Sequence, residues 1–357
     1  MKLHSILEWE TSKVVWAGAL AAIFATSSCN TNVEVCEGPP GLYIDSRCTV
    51  LAPDLLAYTP AFPLWSDGAE KERFIRLPEG SVIDARDADD WVFPVGTTLY
   101  KNFSVDGQRV ETRVLEKVRD GIGVDAWEMR TYAWDREALR AFDVSSDNDT
   151  AERAALRTDA LGTHHDIPTT SMCRQCHSAA HDVVNGFSAI QLSEGALGTT
   201  LPDLVSTHRI DIDADDVRDA DIPGTPIERA AIGYMHANCA HCHRDSAASL
   251  CGVEGCCRTP ACLTGLHLWV RISDVSVIDT DAYQTGVGVA ALNQRTGSSC
   301  RVAPGHSNES VLVQRMAVRG APAAMPRIGS EQVDAAGLGD LRTWIDAMPA
   351  GESVCVR

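Results

Sequence analysis

Asn238-Cys239-Ala240-His241-Cys242-His243 and, upstream, Cys173-Arg174-Gln175-Cys176-His177 carry one shared pattern, Cys-x-x-Cys-His. Residues three and four apart lie on one face of a helical turn. Two thiols at i and i+3 therefore reach the two vinyl groups of one porphyrin as thioethers, and a histidine at i+4 lies under the ring and gives a nitrogen to iron. With 13 Cys and 11 His among 357 residues, one such pentapeptide should arise by accident in roughly one chain in a hundred of this make-up, and two far more rarely. The spacing points to two covalently attached haem c groups, with Cys173, Cys176, Cys239 and Cys242 as attachment points and His177 and His243 as proximal ligands. Each proximal histidine is expected to donate its other ring N–H to a backbone carbonyl. A structural zinc site closes with four N/S ligands and a redox Cys-x-x-Cys uses its thiols; neither needs a histidine directly after the second cysteine each time.

Length supports two or three domains with ample core. A net charge of -18 argues against nucleic acid as a partner, because affinity for phosphates comes from Lys and Arg. It suits a redox protein that docks on less acidic or basic partner proteins. Residues 1–28 read as an export signal: Lys2 and Lys13 flank the start, Val14 to Ala25 is an apolar run too short for a confident membrane span, and small residues follow. Cys29 then offers a lipid attachment point and a membrane tether, although Thr26 stands where lipoprotein signals usually carry Leu and Glu8 and Glu10 weaken the basic start. The expected location is the periplasm or the outer membrane surface. If four cysteines hold haem and Cys29 is lipidated, eight remain, an even number that suits disulfides in an oxidising compartment. Cys36–Cys48 is the simplest local bridge; Cys251, Cys256, Cys257, Cys262, Cys300 and Cys355 leave 15 pairings open.

The predicted fold class is α+β and multidomain. Residues 29–50 form a tether with a small disulfide loop. Residues 51–145 read as a β-sandwich-like domain, with strands over Lys71–Leu77, Thr98–Val105, Gln108–Val118 and Val124–Trp134, and Asp106-Gly107 as a two-residue hairpin turn. Between Tyr58 and Phe74, Trp65, Asp67 and Lys71 read as a core aromatic and a turn in preference to a docking surface. Residues 146–225 hold the first haem motif, after a helical stretch Ala151–Leu161, with Ser171 as the cap of the motif helix. The acidic run from Asp211 to Asp221 lacks the Gly and the Glu of a calcium loop and reads as a solvated turn. Residues 226–357 hold the second motif at the end of a helix opened by Pro226, a Cys-rich insert over 244–300 with a strand at His267–Ile272, and a last helix with Val333, Leu338, Leu341, Trp344, Ile345 and Met348 on one face.

Over 226–357 the order of Cys-x-x-Cys-His, a Met325-Pro326 loop and a terminal amphipathic helix resembles the cytochrome c domain. The whole chain, with Tyr58 to Phe74, Trp91 to Phe103 and Tyr234 to His243, is similar to two-haem c-type cytochromes with an N-terminal β domain. The resemblance implies α-helical haem domains, Met325 as sixth ligand of the second haem, and Leu341 and Trp344 as the packing pair of the last helix. For the first haem the candidates are His236, His181, His165, His164 and Met172, with His236 leading because it precedes Cys239 by three. The favoured function is an exported dihaem cytochrome carrying electrons between redox partners. The alternatives are a dihaem peroxidase-like enzyme with one open haem, whose distal group would come from His164, His165 or Glu128, and a β domain that serves as a docking module.

Overall fold

The structure is a computed structural model, and it describes residues 36–244, 264–292, 299–350 and 355. The export signal, Cys29, and Cys251, Cys256, Cys257 and Cys262 of the insert lie outside the described residues. Seven strands form one antiparallel sheet: β1 (Leu56–Thr59), β2 (Glu70–Arg76), β4 (Thr98–Val105), β5 (Gln108–Lys117), β6 (Trp127–Trp134), β7 (Ala141–Asp143) and β8 (Leu197–Gly198), in the order β7-β6-β5-β4-β2-β1-β8. A separate parallel pair joins β3 (Ile83–Asp84) to β9 (Ile210–Asp211). The turn between β4 and β5 is the predicted one. Asp106 and Gly107 both take positive φ, 51° and 75°, as a two-residue turn matched to strand twist requires.

Because successive side chains point to opposite faces, each strand serves two cores. Phe74, Tyr100, Val114, Tyr132 and Trp134 are buried on one face beneath residues 36–55, a segment closed by the Cys36–Cys48 disulfide. Leu42 is wholly buried there, and Tyr43 accepts from the Asn102 amide across 3.0 Å. Ile75, Leu99, Trp127 and Met129 point the other way, into a larger core shared with the helices. The β-sandwich expectation is therefore corrected: among the described residues the second sheet is only the two-stranded β3–β9 pair, and one face of the seven-stranded sheet is covered by the disulfide-closed segment.

The helical layer comprises α1 (Ala151–Ala155), α2 (Thr170–His177), α3 (Leu201–Ser206), α4 (Ala214–Asp219), α5 (Pro226–Asn238), α6 (Asp281–Gly286), α7 (Val311–Met316) and α8 (Ala335–Ala347). α5 starts as its sequence requires, with Pro226 in the first turn and a reciprocal capping box between Thr225 and Glu228. α8 buries Leu338, Leu341, Trp344 and Ile345, and it packs on α5 where Gly337 meets the Tyr234 ring. The stretch His267–Ile272, predicted as a strand, joins no strand. Its N–H groups go elsewhere: Leu268 donates to the His243 carbonyl at 2.7 Å and Val270 to the His236 ring at 3.1 Å. The described residues fall within one compact unit.

A Cβ at Gly337 would stand well inside van der Waals contact with Tyr234, whereas nothing lies within 4 Å of one at Gly339. Gly337→Ala should destabilise the protein by about 1–3 kcal/mol, and Gly339→Ala should stabilise it by about 0.5–1 kcal/mol through helix propensity. Denaturant titration of the two variants checks the sign of each.

Candidate functional site

The first motif lies on α2, with Cys173, Cys176 and His177 half-buried on a helix that leans on the sheet through Thr170, whose hydroxyl donates to the Met129 carbonyl at 3.1 Å. Thr169 occupies the cap position and Ser171 sits inside the helix, which corrects the cap assignment. Ser171 instead donates to Asp147 at 2.7 Å. The His177 Nδ1–H donates to the Val183 carbonyl at 2.5 Å. Val183 is wholly buried and takes φ of 56°, a left-handed conformation that a β-branched residue adopts only under constraint. The constraint is its neighbour. Asp182 accepts from Lys117 Nζ at 2.5 Å, from Trp127 Nε1 at 2.8 Å and from the Phe93 N–H at 2.8 Å. Lys117 and Asp182 are 2% and 0% exposed, so this ion pair is fully desolvated and fixes the loop whose carbonyl orients His177.

The second motif follows α5 directly. Cys239 caps the helix, and the Cys242 and His243 N–H groups return to its carbonyl at 3.0 and 2.9 Å, so the motif adds one more turn. The His243 Nδ1–H donates to the Leu266 carbonyl at 3.2 Å. Asn238, just before Cys239, is clasped by the chain around Trp65: its Oδ1 accepts from the Trp65 N–H at 2.6 Å and its Nδ2 donates to the Pro63 carbonyl at 3.3 Å. Asp67, at φ of 53°, holds the N–H groups of Glu331 and Gln332, and Lys71 donates to the Leu64 carbonyl at 2.6 Å. The Trp65–Lys71 stretch is thus a clasp between the sheet, the second motif and the approach to α8.

The two motifs lie near one another. Cys176 lies within electrostatic reach of Cys242 and His241, and the interaction holds Cys176 below and Cys242 above the usual thiol range. Burial pushes Cys173 up to about 11 and Cys239 up to about 12. Burial also lowers His177, and takes His243 down to about 4. Both imidazoles are therefore neutral at pH 7, protonated on Nδ1 and carrying a lone pair on Nε2. Asp90 adds a second tie: one carboxylate oxygen accepts from Arg244, next to His243, and the other stands 3.8 Å from His181 Nδ1. Cys173, Cys176, Cys239 and Cys242 stay reduced while Cys36 pairs with Cys48 and Cys300 with Cys355.

These residues fit the group their spacing implies. Each motif offers two thiols and a neutral imidazole whose Nδ1–H is spent on a carbonyl, which leaves Nε2 for iron.

The other candidates are placed as follows. Met325 is half-buried; its N–H donates to the Arg315 carbonyl at 2.9 Å. Arg315 also donates to the Ala323 carbonyl at 2.8 Å and its charge reaches His243. His236 is buried, accepts on Nδ1 from Val270 and stacks on Trp269 with ring centres 4.4 Å apart. Its proton is then on Nε2, and iron ligation through Nε2 would cost that bond. His165 is buried 2.6 Å from Glu111; His164 and Met172 are exposed, and Glu128 pairs with Arg130. His181 keeps a buried Nδ1 with no hydrogen bond. The sequence reading missed His241 and Val183. His241 sits inside a motif and hides behind its flanking cysteines, and no pattern foretells the Val183 φ. No family model matches the chain, nor does any curated protein or solved structure.

Removing one partner of a desolvated ion pair strands the other. Asp182→Ala and Lys117→Met should each cost about 3–5 kcal/mol, and the double variant should cost less than the sum of the two. Denaturant unfolding of the three proteins measures this; costs below about 1 kcal/mol would remove Asp182 as the anchor of the Val183 carbonyl.

Proposed function

We infer that the chain is an exported dihaem c-type cytochrome that carries electrons between redox partner proteins. The observation that carries the reading is that each Cys-x-x-Cys-His motif has its histidine tied through Nδ1 to a backbone carbonyl, with Cys176 of one motif within electrostatic reach of His241 and Cys242 of the other. Haem supplies one-electron chemistry between ferric and ferrous iron. The chain's own residues do the rest. The four thiols anchor the porphyrins. The Val183 and Leu266 carbonyls hold each imidazole in one tautomer and make its Nε2 more basic. The approach of Cys176 to Cys242 brings the attachment points of two separate motifs together, so an electron entering at one has a short way to the other.

A cytochrome c-like helical domain over 226–357 is supported by α5 leading into the motif, α8 packed across α5 at Gly337, and the Met325 loop between them. Met325 as sixth ligand of the second haem is supported by Arg315, which bonds both sides of that loop and whose charge reaches the His243 ring. Export to the periplasm or the outer membrane surface is supported by the Cys36–Cys48 and Cys300–Cys355 disulfides. The charge of -18 favours a basic or weakly acidic redox partner.

Protein made with a c-type maturation system should carry two haems by its alkaline pyridine spectrum and titrate in two reversible steps. Met325→Ala should lower the potential of one step only, since His/Met ligation raises it. Movement of both steps, or of neither, would reject the ligand. Peroxide turnover at a high-spin haem in the half-reduced protein would replace electron carriage with the open-haem enzyme reading.

A further inference from the structure

β2, β4 and β5 place three cations side by side. The ladder pairs Arg73 with Lys101 and Lys101 with Arg113, and the row ends at Thr131 on β6. Directly opposed residues share a face of the sheet, so all three point toward the core that holds the motifs, and Lys71 lies on the same face one pleat away. Like charges directly opposite one another across a ladder are destabilising, and burial raises the cost. Arg73 is 6% exposed and Lys101 is half-buried, in a chain whose overall balance is strongly acidic.

The local compensation is incomplete. On this face of the seven strands Glu111 is the one acidic side chain, and it is already occupied. Arg113 grips it at 2.6 and 2.9 Å, and His165 Nε2 takes the same carboxylate at 2.6 Å. Lys71 donates to the Leu64 carbonyl. Among the described residues neither Arg73 nor Lys101 forms an ion pair with a carboxylate. Phe103 lies beside the row, with Lys101 Nζ 5.0 Å and the Arg113 guanidinium 4.3 Å from its ring centre, an apolar floor under two cations. Burial lowers both Lys101 and Arg73 from their ordinary values, which agrees with cations short of a counter-charge.

The row ends against the approach to the first motif: Thr131 donates to the Pro168 carbonyl at 3.0 Å, and Thr170, at the start of α2, donates to the Met129 carbonyl on the same strand at 3.1 Å. The charges of Lys101 and Arg113 reach the His177 ring and the Cys173 and Cys176 thiols. A haem attached there brings two carboxylates on short flexible arms. We propose that Arg73 and Lys101, flanked by Arg113, form the seat for the propionates of the haem held by Cys173, Cys176 and His177. The proposal rests on the dihaem reading and adds to it: the sheet becomes part of that haem's binding site and sets its charge environment. Arginine suits this role because its planar fork meets a carboxylate bidentately, and lysine because its ammonium reaches one as a point charge.

The test is a redox titration of the intact holoprotein and of Arg73→Met, Lys101→Met and Lys101→Arg. Ferric haem carries one more positive charge than ferrous, so nearby cations favour the reduced form, and their loss should lower the potential. Each Met variant should shift the reduction equilibrium of one haem about tenfold toward the oxidised state, about 59 mV for one electron, and leave the other haem in place. Lys101→Arg should keep the parent potential. Each Met variant removes an uncompensated buried charge, so folding should survive; haem content per chain and the unfolding midpoint verify it. Two covalent haems with neither potential moved in either Met variant would overturn the seat and leave the dihaem reading standing. Equal movement of both potentials would also overturn it, as a general charge effect. A parent protein without covalent haem would remove the seat and the dihaem reading together.

Discussion

Asp182 is buried to the last oxygen and holds a lysine ammonium, an indole N–H and a backbone N–H at once. A lone carboxylate in that position would cost several kcal/mol; with three donors it becomes a fixed point. Everything around the first motif hangs from it. Lys117 and Trp127 tie it to the sheet, Val183 follows it in a conformation its side chain resists, and the Val183 carbonyl aims at His177. The face of β5 repeats this theme along its length. Glu111 engages His165, Arg113 reaches Cys173 and Cys176, and Lys117 engages Asp182. One strand with charged residues at alternate positions thus positions a helix, a loop and a histidine.

The second motif is positioned by different means. α5 delivers Cys239 at its C-terminal end, Asn238 is clasped by the Trp65 segment, and α8 closes over α5 at a glycine. The two motifs then converge from separate parts of the chain until Cys176 lies within electrostatic reach of Cys242. A sheet, two helices and a loop bring the two Cys-x-x-Cys-His stretches near one another, and burial keeps both imidazoles neutral.

Legibility in the sequence followed locality. The β4–β5 hairpin was readable because Asp106-Gly107 sits between alternating runs, and α5 because Pro226 opens an apolar repeat at helical spacing. The two Cys-x-x-Cys-His stretches were visible as local spacing, and their approach to one another was not. Features set by distant partners were not. His267–Ile272 has the composition of a strand, yet its donors are claimed by His243, His236 and Thr285, so no ladder forms. The sandwich expectation failed because nothing in residues 36–55 announces that a disulfide-closed loop can replace a sheet. The row Arg73–Lys101–Arg113 depends on register between three strands, which no single strand carries.

The central claim is that two haems are held side by side by adjoining motifs. Electron paramagnetic resonance of the fully oxidised and the half-reduced holoprotein tests it most directly. Adjacent ferric centres should couple, so the fully oxidised protein should show broadened or diminished signals, and reducing one haem should restore a simple signal from the other. Two independent signals that add without interaction in the fully oxidised state would contradict the account.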